Sequence, residues 1–196
     1  VVRDPTGPAN STYDRGINNS PDYIRQCCEE SLRRLAIETI DLYYVHRIDP
    51  SVPIEETMET LARLVADGKI RAVGLSEVSA ELLERAHRVH PVAALQSEYS
   101  LWSREVEREI LPACSRLGIS FVAYSPLGRG FLSGTISSES DLAADDIRRT
   151  SPRFRAGNLE KNRRLLEGLG EIASSRGISL SQLALAFVLS RPQQII

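Results

Sequence analysis

Long hydrophobic runs are missing from this chain. Its uninterrupted apolar stretches are only a few residues long, and a transmembrane helix needs about 20 such residues. A predominance of one charge is missing too: 24 Lys+Arg stand against 26 Asp+Glu, for a formal net charge of -2, with no basic block. Nucleic acid as the main partner is therefore not expected, because phosphate binding needs concentrated positive charge. Cysteine is scarce. Cys27, Cys28 and Cys114 cannot all pair, and the first two are neighbours on a predicted helix, where adjacent side chains point about 100° apart. Reduced thiols in a cytosolic protein are the simpler reading. The opening Val-Val-Arg-Asp-Pro has neither the charge order nor the apolar core of a secretion signal. No initiator methionine is present, and the closing Gln-Gln-Ile-Ile looks like the start of a strand. The expectation is that sequence is missing at both ends.

A glycine-rich G-x-G-x-x-G turn after an early strand is also absent, which makes a doubly wound sheet only the second choice of architecture. No metal site is assigned. What the chain does contain is 42% hydrophobic residues, enough for one well-packed core. They are arranged as short apolar strands separated by helical segments.

The strand Ile40-Asp-Leu-Tyr-Tyr-Val delivers His46 at its end, and three later strands repeat the arrangement. Ile70–Leu75 runs into Ser76-Glu77, Val92–Leu95 into Gln96-Ser97-Glu98, and Ile119–Ala123 into Tyr124-Ser125-Pro126-Leu127. Parallel barrels carry their chemistry at the C-terminal ends of strands, so four polar strand ends describe one site.

The helices have readable boundaries. Ser20-Pro21-Asp22 marks a start, with an apolar stripe of Ile24, Cys28, Leu32 and Leu35. A second helix begins near Pro53, with Ile54, Met58, Leu61 and Val65 on one face and Gly68 at its end. Ser79 and Ser103 are the predicted caps of the next two. Residues 1–19 form an irregular loop, and 128–157 a long one with one short helix, of a length that is usually functional. Helices are predicted over about 158–176 and 180–191, the latter opened by the capping box Ser179–Gln182; Ile195-Ile196 starts the next strand.

The expected fold class is thus an α/β (β/α)₈ TIM barrel, incomplete. Residues 1–196 form a single barrel domain running from about the fourth strand to the start of the eighth, since a whole barrel takes about 250 residues.

Four segments resemble the aldo-keto reductases: Asp41-Leu-Tyr-Tyr-Val-His46-Arg, Gly68-Lys-Ile-Arg-Ala-Val-Gly74-Leu-Ser76, Leu95-Gln96-Ser-Glu-Tyr99-Ser, and Ala123-Tyr124-Ser-Pro-Leu-Gly128-Arg-Gly-Phe-Leu. Pro152-Arg-Phe154 with Asn158-Leu-Glu-Lys-Asn162 is most similar to the bacterial and plant branch that contains perakine-reductase-like enzymes. The resemblance implies an NADPH-dependent reductase of small-molecule aldehydes or ketones. In that family an Asp, Tyr, Lys and His tetrad surrounds the carbonyl, and only the histidine has a match here, His46. A chain lacking the other three is expected not to turn over. By the same resemblance Ser76 and Gln96 bond the nicotinamide carboxamide and Tyr124 stacks on the ring. Ser125, Leu127, Gly128 and Arg129 follow the pyrophosphate. Glu77 stands where Asn is usual. The family's segment for the 2′-phosphate would lie beyond Ile196, so NAD is not excluded beside NADP. Oligomeric state is not given. The alternative is a cofactor-binding regulatory protein similar to the potassium-channel β subunits, which the histidine disfavours.

Several residues have plainer readings. Tyr13 has no matching context. Tyr44 faces inward one layer below His46, as barrel filler. His87 and His90 suit helix-end or exposed roles, and Glu98 a structural hydrogen bond. Cys27 and Cys28 suit packing, and Arg148-Arg149 a solvated loop. Trp102 either lines the substrate pocket or staples a helix start.

Overall fold

The computed structural model describes residues 16–191 and 195–196; Tyr13 and most of the predicted N-terminal loop lie outside them. Helices and strands alternate as α1 (Pro21–Leu35), β1 (Ile40–Val45), α2 (Ile54–Ala66), β2 (Ile70–Ser76), α3 (Ala80–Val89), β3 (Val92–Glu98), α4 (Ile110–Leu117) and β4 (Ser120–Tyr124). After a stretch of 3-10 turns come α5 (Ala156–Ser175) and α6 (Leu180–Leu189). The strands form one sheet in the order β1-β2-β3-β4, so sequence neighbours are sheet neighbours. β1 runs parallel to β2 with Tyr44 opposite Gly74, and β2 parallel to β3 with Ser76 opposite Gln96. Among the described residues no single helix is long and apolar enough to cross a membrane.

The chain divides into two compact units: the residues up to Ser97 with Glu107–Val122, and Glu98–Val106 with Ala123–Ile196. In the first, Met58, Leu61, Val73, Leu75, Leu83, Leu95 and Phe121 are fully buried. The α1 stripe buries Ile24, Cys28 and Leu32, but Leu35 is 61% exposed. The stripe stops a turn early because Ala36 turns left-handed at φ 54°, which brings the Ile37 N–H back onto the Leu32 carbonyl. α2 buries Ile54, Met58 and Leu61 as expected, but Leu64 goes deep where Val65 is half-buried, and Thr57 and Thr60 join the buried face. Arg85 clamps Glu55 with two bonds of 2.9 Å, linking α3 to α2. Ser79 caps α3 by accepting from the Leu82 N–H, and the His87 ring nitrogen accepts from the Val92 N–H where β3 begins.

One helix start is corrected. Ser103 does not cap α4, which begins seven residues later, at Ile110. Its hydroxyl donates to Glu98 and its N–H to the Ser100 hydroxyl, bonds that fix the loop between β3 and the 3-10 turn at Glu105–Glu107. α4 ends at Gly118, left-handed at φ 67°.

The second unit has its own apolar core of Phe131, Leu132, Ile136, Leu142, Phe154 and Leu159, joined by Leu166 and Ala184 from α5 and α6. The 128–157 stretch holds four 3-10 turns, over Phe131–Ser133, Glu139–Asp141, Ile147–Thr150 and Pro152–Phe154, rather than one short helix. The capping box of α6 forms as predicted, with the Ser179 hydroxyl taking the Gln182 N–H and the Gln182 amide oxygen taking the Ser179 N–H. The Ala123 N–H donates to the Ile196 carbonyl at 3.0 Å, the pairing expected of a strand beginning at Ile195.

Candidate functional site

In the first unit three polar residues stand near the C-terminal ends of adjacent parallel strands, with Gln96 two residues inside β3, which runs on to Glu98 past the expected end at Leu95. His46 is one residue past β1. Its imidazole is exposed and borders a pocket of about 100 Å³ that Asn19, Tyr23, Tyr44 and Arg47 also line. The turn behind it is pinned by buried Asn19, whose side-chain oxygen takes the Asp49 N–H at 2.6 Å. Tyr44 shares the His46 face, as alternation requires, and its ring abuts Gly74, where an added Cβ would come within 2.5 Å of Cε1. A phenol hydrogen bond with Cys27 is the main cause that pushes Tyr23 up to about 12, so its hydroxyl stays protonated at neutral pH.

Ser76, the last residue of β2, is 2% exposed and stands opposite half-buried Gln96 in the register. Glu77 follows in the left-handed region at φ 55°, and that turn returns its N–H to the Gln96 carbonyl at 3.0 Å. An L-residue pays strain to adopt this conformation; Asn accepts it more easily than Glu. Arg47 was legible only as the neighbour of His46. Its guanidinium donates to the His46 carbonyl at 2.7 Å and to the Ser76 hydroxyl at 3.2 Å.

In the second unit, Tyr124 ends β4 and its carbonyl accepts from the Tyr99 N–H. Ser125 is left-handed at φ 53°, and its carbonyl takes the Gly128 N–H at 2.8 Å. Leu127 is half-buried and accepts from the N–H groups of Gly130 and Leu132. Gly128, Arg129 and Gly130 then take φ of 56°, 57° and 92° in succession. Glycine is needed at both flanks, since a Cβ at 128 would crowd Trp102 at 3.2 Å and one at 130 would crowd Arg148 at 3.1 Å. The Arg129 side chain extends into solvent.

Trp102 neither staples α4 nor stands alone. It packs on Phe131 at 4.3 Å and on Phe154 at 6.3 Å, with the Arg153 guanidinium over its ring. Glu98 accepts from Ser103 and pairs with Arg153, the structural bond expected of it. Arg148 and Arg149 are not a solvated patch. Arg148 grips Asp146 and the Arg129 carbonyl, while Arg149 donates to the carbonyls of Glu139, Leu142 and Ala143.

Each unit by itself offers groups that suit part of a nicotinamide dinucleotide: in the first, two side chains able to bond an amide, and in the second, an aromatic ring and a glycine turn with an exposed cation.

The family model for the aldo/keto reductases matches residues 9–196. A probable aldo-keto reductase of Glycine max is 47% identical over 183 residues, which are 93% of this chain and 53% of that protein. Among solved structures, a glycerol dehydrogenase from Gluconobacter oxydans superposes with a TM-score of 0.84 at 36% identity, covering 91% of this chain and 55% of its own. A thermostable aldo-keto reductase solved with the inhibitor epalrestat gives 0.69 at 30% identity, covering 90% and 55%. The chain spans about half the length of the relatives it matches. Its parallel strands and alternating helices are part of the (β/α)₈ barrel of those proteins.

Proposed function

The chain belongs to the aldo/keto reductase family, and from that premise we propose that its protein reduces aldehyde or ketone carbonyls to alcohols in the cytosol, with a nicotinamide cofactor. The observation that carries this reading is the row of His46, Ser76 and Gln96 near the C-terminal ends of successive parallel strands. The bound nicotinamide supplies the hydride. The His46 imidazole donates a hydrogen bond to the substrate carbonyl oxygen, and that bond strengthens as negative charge builds there. Ser76, held by Arg47, and Gln96 hold the carboxamide and so select which ring face is presented. Tyr124 stacks on the ring, and the turn of Ser125, Leu127, Gly128 and Arg129 receives the diphosphate. Family resemblance favours NADPH over NADH, and no feature of the fold favours the regulatory alternative.

The test uses the protein expressed from its complete gene. NADPH and NADH absorbance are followed with 4-nitrobenzaldehyde, for the native protein and for His46→Ala. Loss of about 10²–10³-fold in kcat with unchanged cofactor binding supports the reading. Tight nucleotide binding without turnover in the native protein overturns it.

A further inference from the structure

We infer that Arg148 is a positioning residue for the dinucleotide's phosphates, acting through the carbonyl of Arg129, with Asp146 holding it in place. The inference rests on the cofactor reading above and adds two residues to it from outside the turn itself.

Local bonds leave one carbonyl of the turn, that of Arg129, to a partner from outside it. Three consecutive left-handed residues include Arg129, whose Cβ opposes that conformation. Local bonds engage the carbonyls on either side of Arg129: Ser125 accepts from the Gly128 N–H, Leu127 from Gly130 and Leu132, Gly128 from Phe131, and Gly130 from Ser133. The carbonyl of Arg129 is held from 19 residues away, by Arg148 Nη1 at 2.9 Å. The rest of that guanidinium is fixed as well. Nε reaches both Asp146 oxygens at 3.0 and 3.1 Å, and Nη2 reaches Oδ2 at 2.6 Å. The Arg148 N–H adds a further bond to Asp146 Oδ1. A planar fork can satisfy a carboxylate on one side and a carbonyl on the other at once, whereas a lysine ammonium has no such geometry. The Arg148 bonds hold the Asp146 carboxyl down to about 2, so the clasp remains ionised throughout the neutral range.

The result is a turn fixed in advance, with one cation projecting from it. The Arg129 side chain is exposed and has no ion-pair partner among the described residues. An oxyanion arriving there meets a positioned charge and pays little to order the backbone. Arg149 provides an internal control. It is also multiply bonded to loop carbonyls, yet it touches no atom of the turn.

Arg148→Met, Arg148→Lys, Asp146→Asn and Arg149→Met are made in the protein expressed from its complete gene. NADPH and NADH are titrated by tryptophan fluorescence, alongside aldehyde kinetics and thermal melts. Arg148→Met raises the dinucleotide Kd and KM about tenfold, with kcat at saturating cofactor held within about twofold. Arg148→Lys keeps the charge and restores less than half of the lost affinity, and it carries the test if the methionine variant does not fold. Asp146→Asn weakens binding in the same direction. Arg149→Met lowers the melting temperature and leaves Kd within about twofold. Unchanged Kd in both Arg148 variants overturns the inference, as does equal weakening by Arg149→Met. Failure of the unmodified protein to bind either dinucleotide overturns instead the cofactor reading on which it rests.

Discussion

Arg47 donates to the Ser76 hydroxyl at 3.2 Å while also holding the carbonyl of its neighbour His46, so one side chain ties the ends of β1 and β2. Ser76 therefore has one of its two lone pairs engaged by Arg47 and keeps its O–H as a donor. Arg47→Met and Ser76→Ala should each weaken dinucleotide binding about three- to tenfold. The double variant should be no weaker than Ser76→Ala alone, because both remove one coupled interaction. Fluorescence titration of the four proteins closes the cycle, and full additivity would count against the tie.

Gly74→Ala should destabilise the protein by about 1–3 kcal/mol, since its methyl group must displace the Tyr44 ring. In a Tyr44→Leu background the same change should cost less than half as much. Urea denaturation of the four combinations measures the difference.

The strands and helix starts that declared themselves in the sequence are those set by local chemistry. Pro21 at the first helical position opens α1, although the Ser20 side chain makes no cap bond, and Ser179–Gln182 opens α6 as a capping box whose partners lie within three residues. Strand ends near His46, Ser76, Gln96 and Tyr124 were legible for the same reason, as polar residues closing apolar runs. What stayed hidden depends on partners distant in sequence. Ser103 has the chemistry of a cap, but it sits in a loop tied to Glu98, and α4 starts seven residues later. Arg148 is an ordinary loop arginine until the fold brings the Arg129 carbonyl to it. The four 3-10 turns of 128–157 are each a single turn long, too short to leave a periodic trace. Roles for the site residues came from family resemblance, while the structure supplies the fixed geometry at which those roles can be tested.

Ala36→Gly should stabilise the protein by about 1 kcal/mol. Ala36 is exposed and left-handed at φ 54° at the end of α1, a position where glycine carries no Cβ penalty. A thermal melt should rise by about 2–4 °C; a fall would show that the alanine methyl makes a contact worth more than its strain.

Burial pushes the Cys114 thiol up to about 11. Its folded value lies above its unfolded one, so the folded state retains the proton over a range where the unfolded chain loses it. Stability is therefore fully present below about pH 9 and declines as pH rises towards about 11. Denaturant midpoints across that window should fall more steeply for the native protein than for Cys114→Ala. Tyr43, also raised by burial, adds a loss of the same sign at higher pH.

The aromatic cluster of Trp102, Phe131 and Phe154 gives the stretch beyond β4 an interior of its own. Ser137, Ser138 and Ser140 lie outside that interior, on an exposed rim where Asp141 gathers the first two. Substitutions at the serines of that rim therefore leave the ring-stacked kernel untouched, since none of them packs against it.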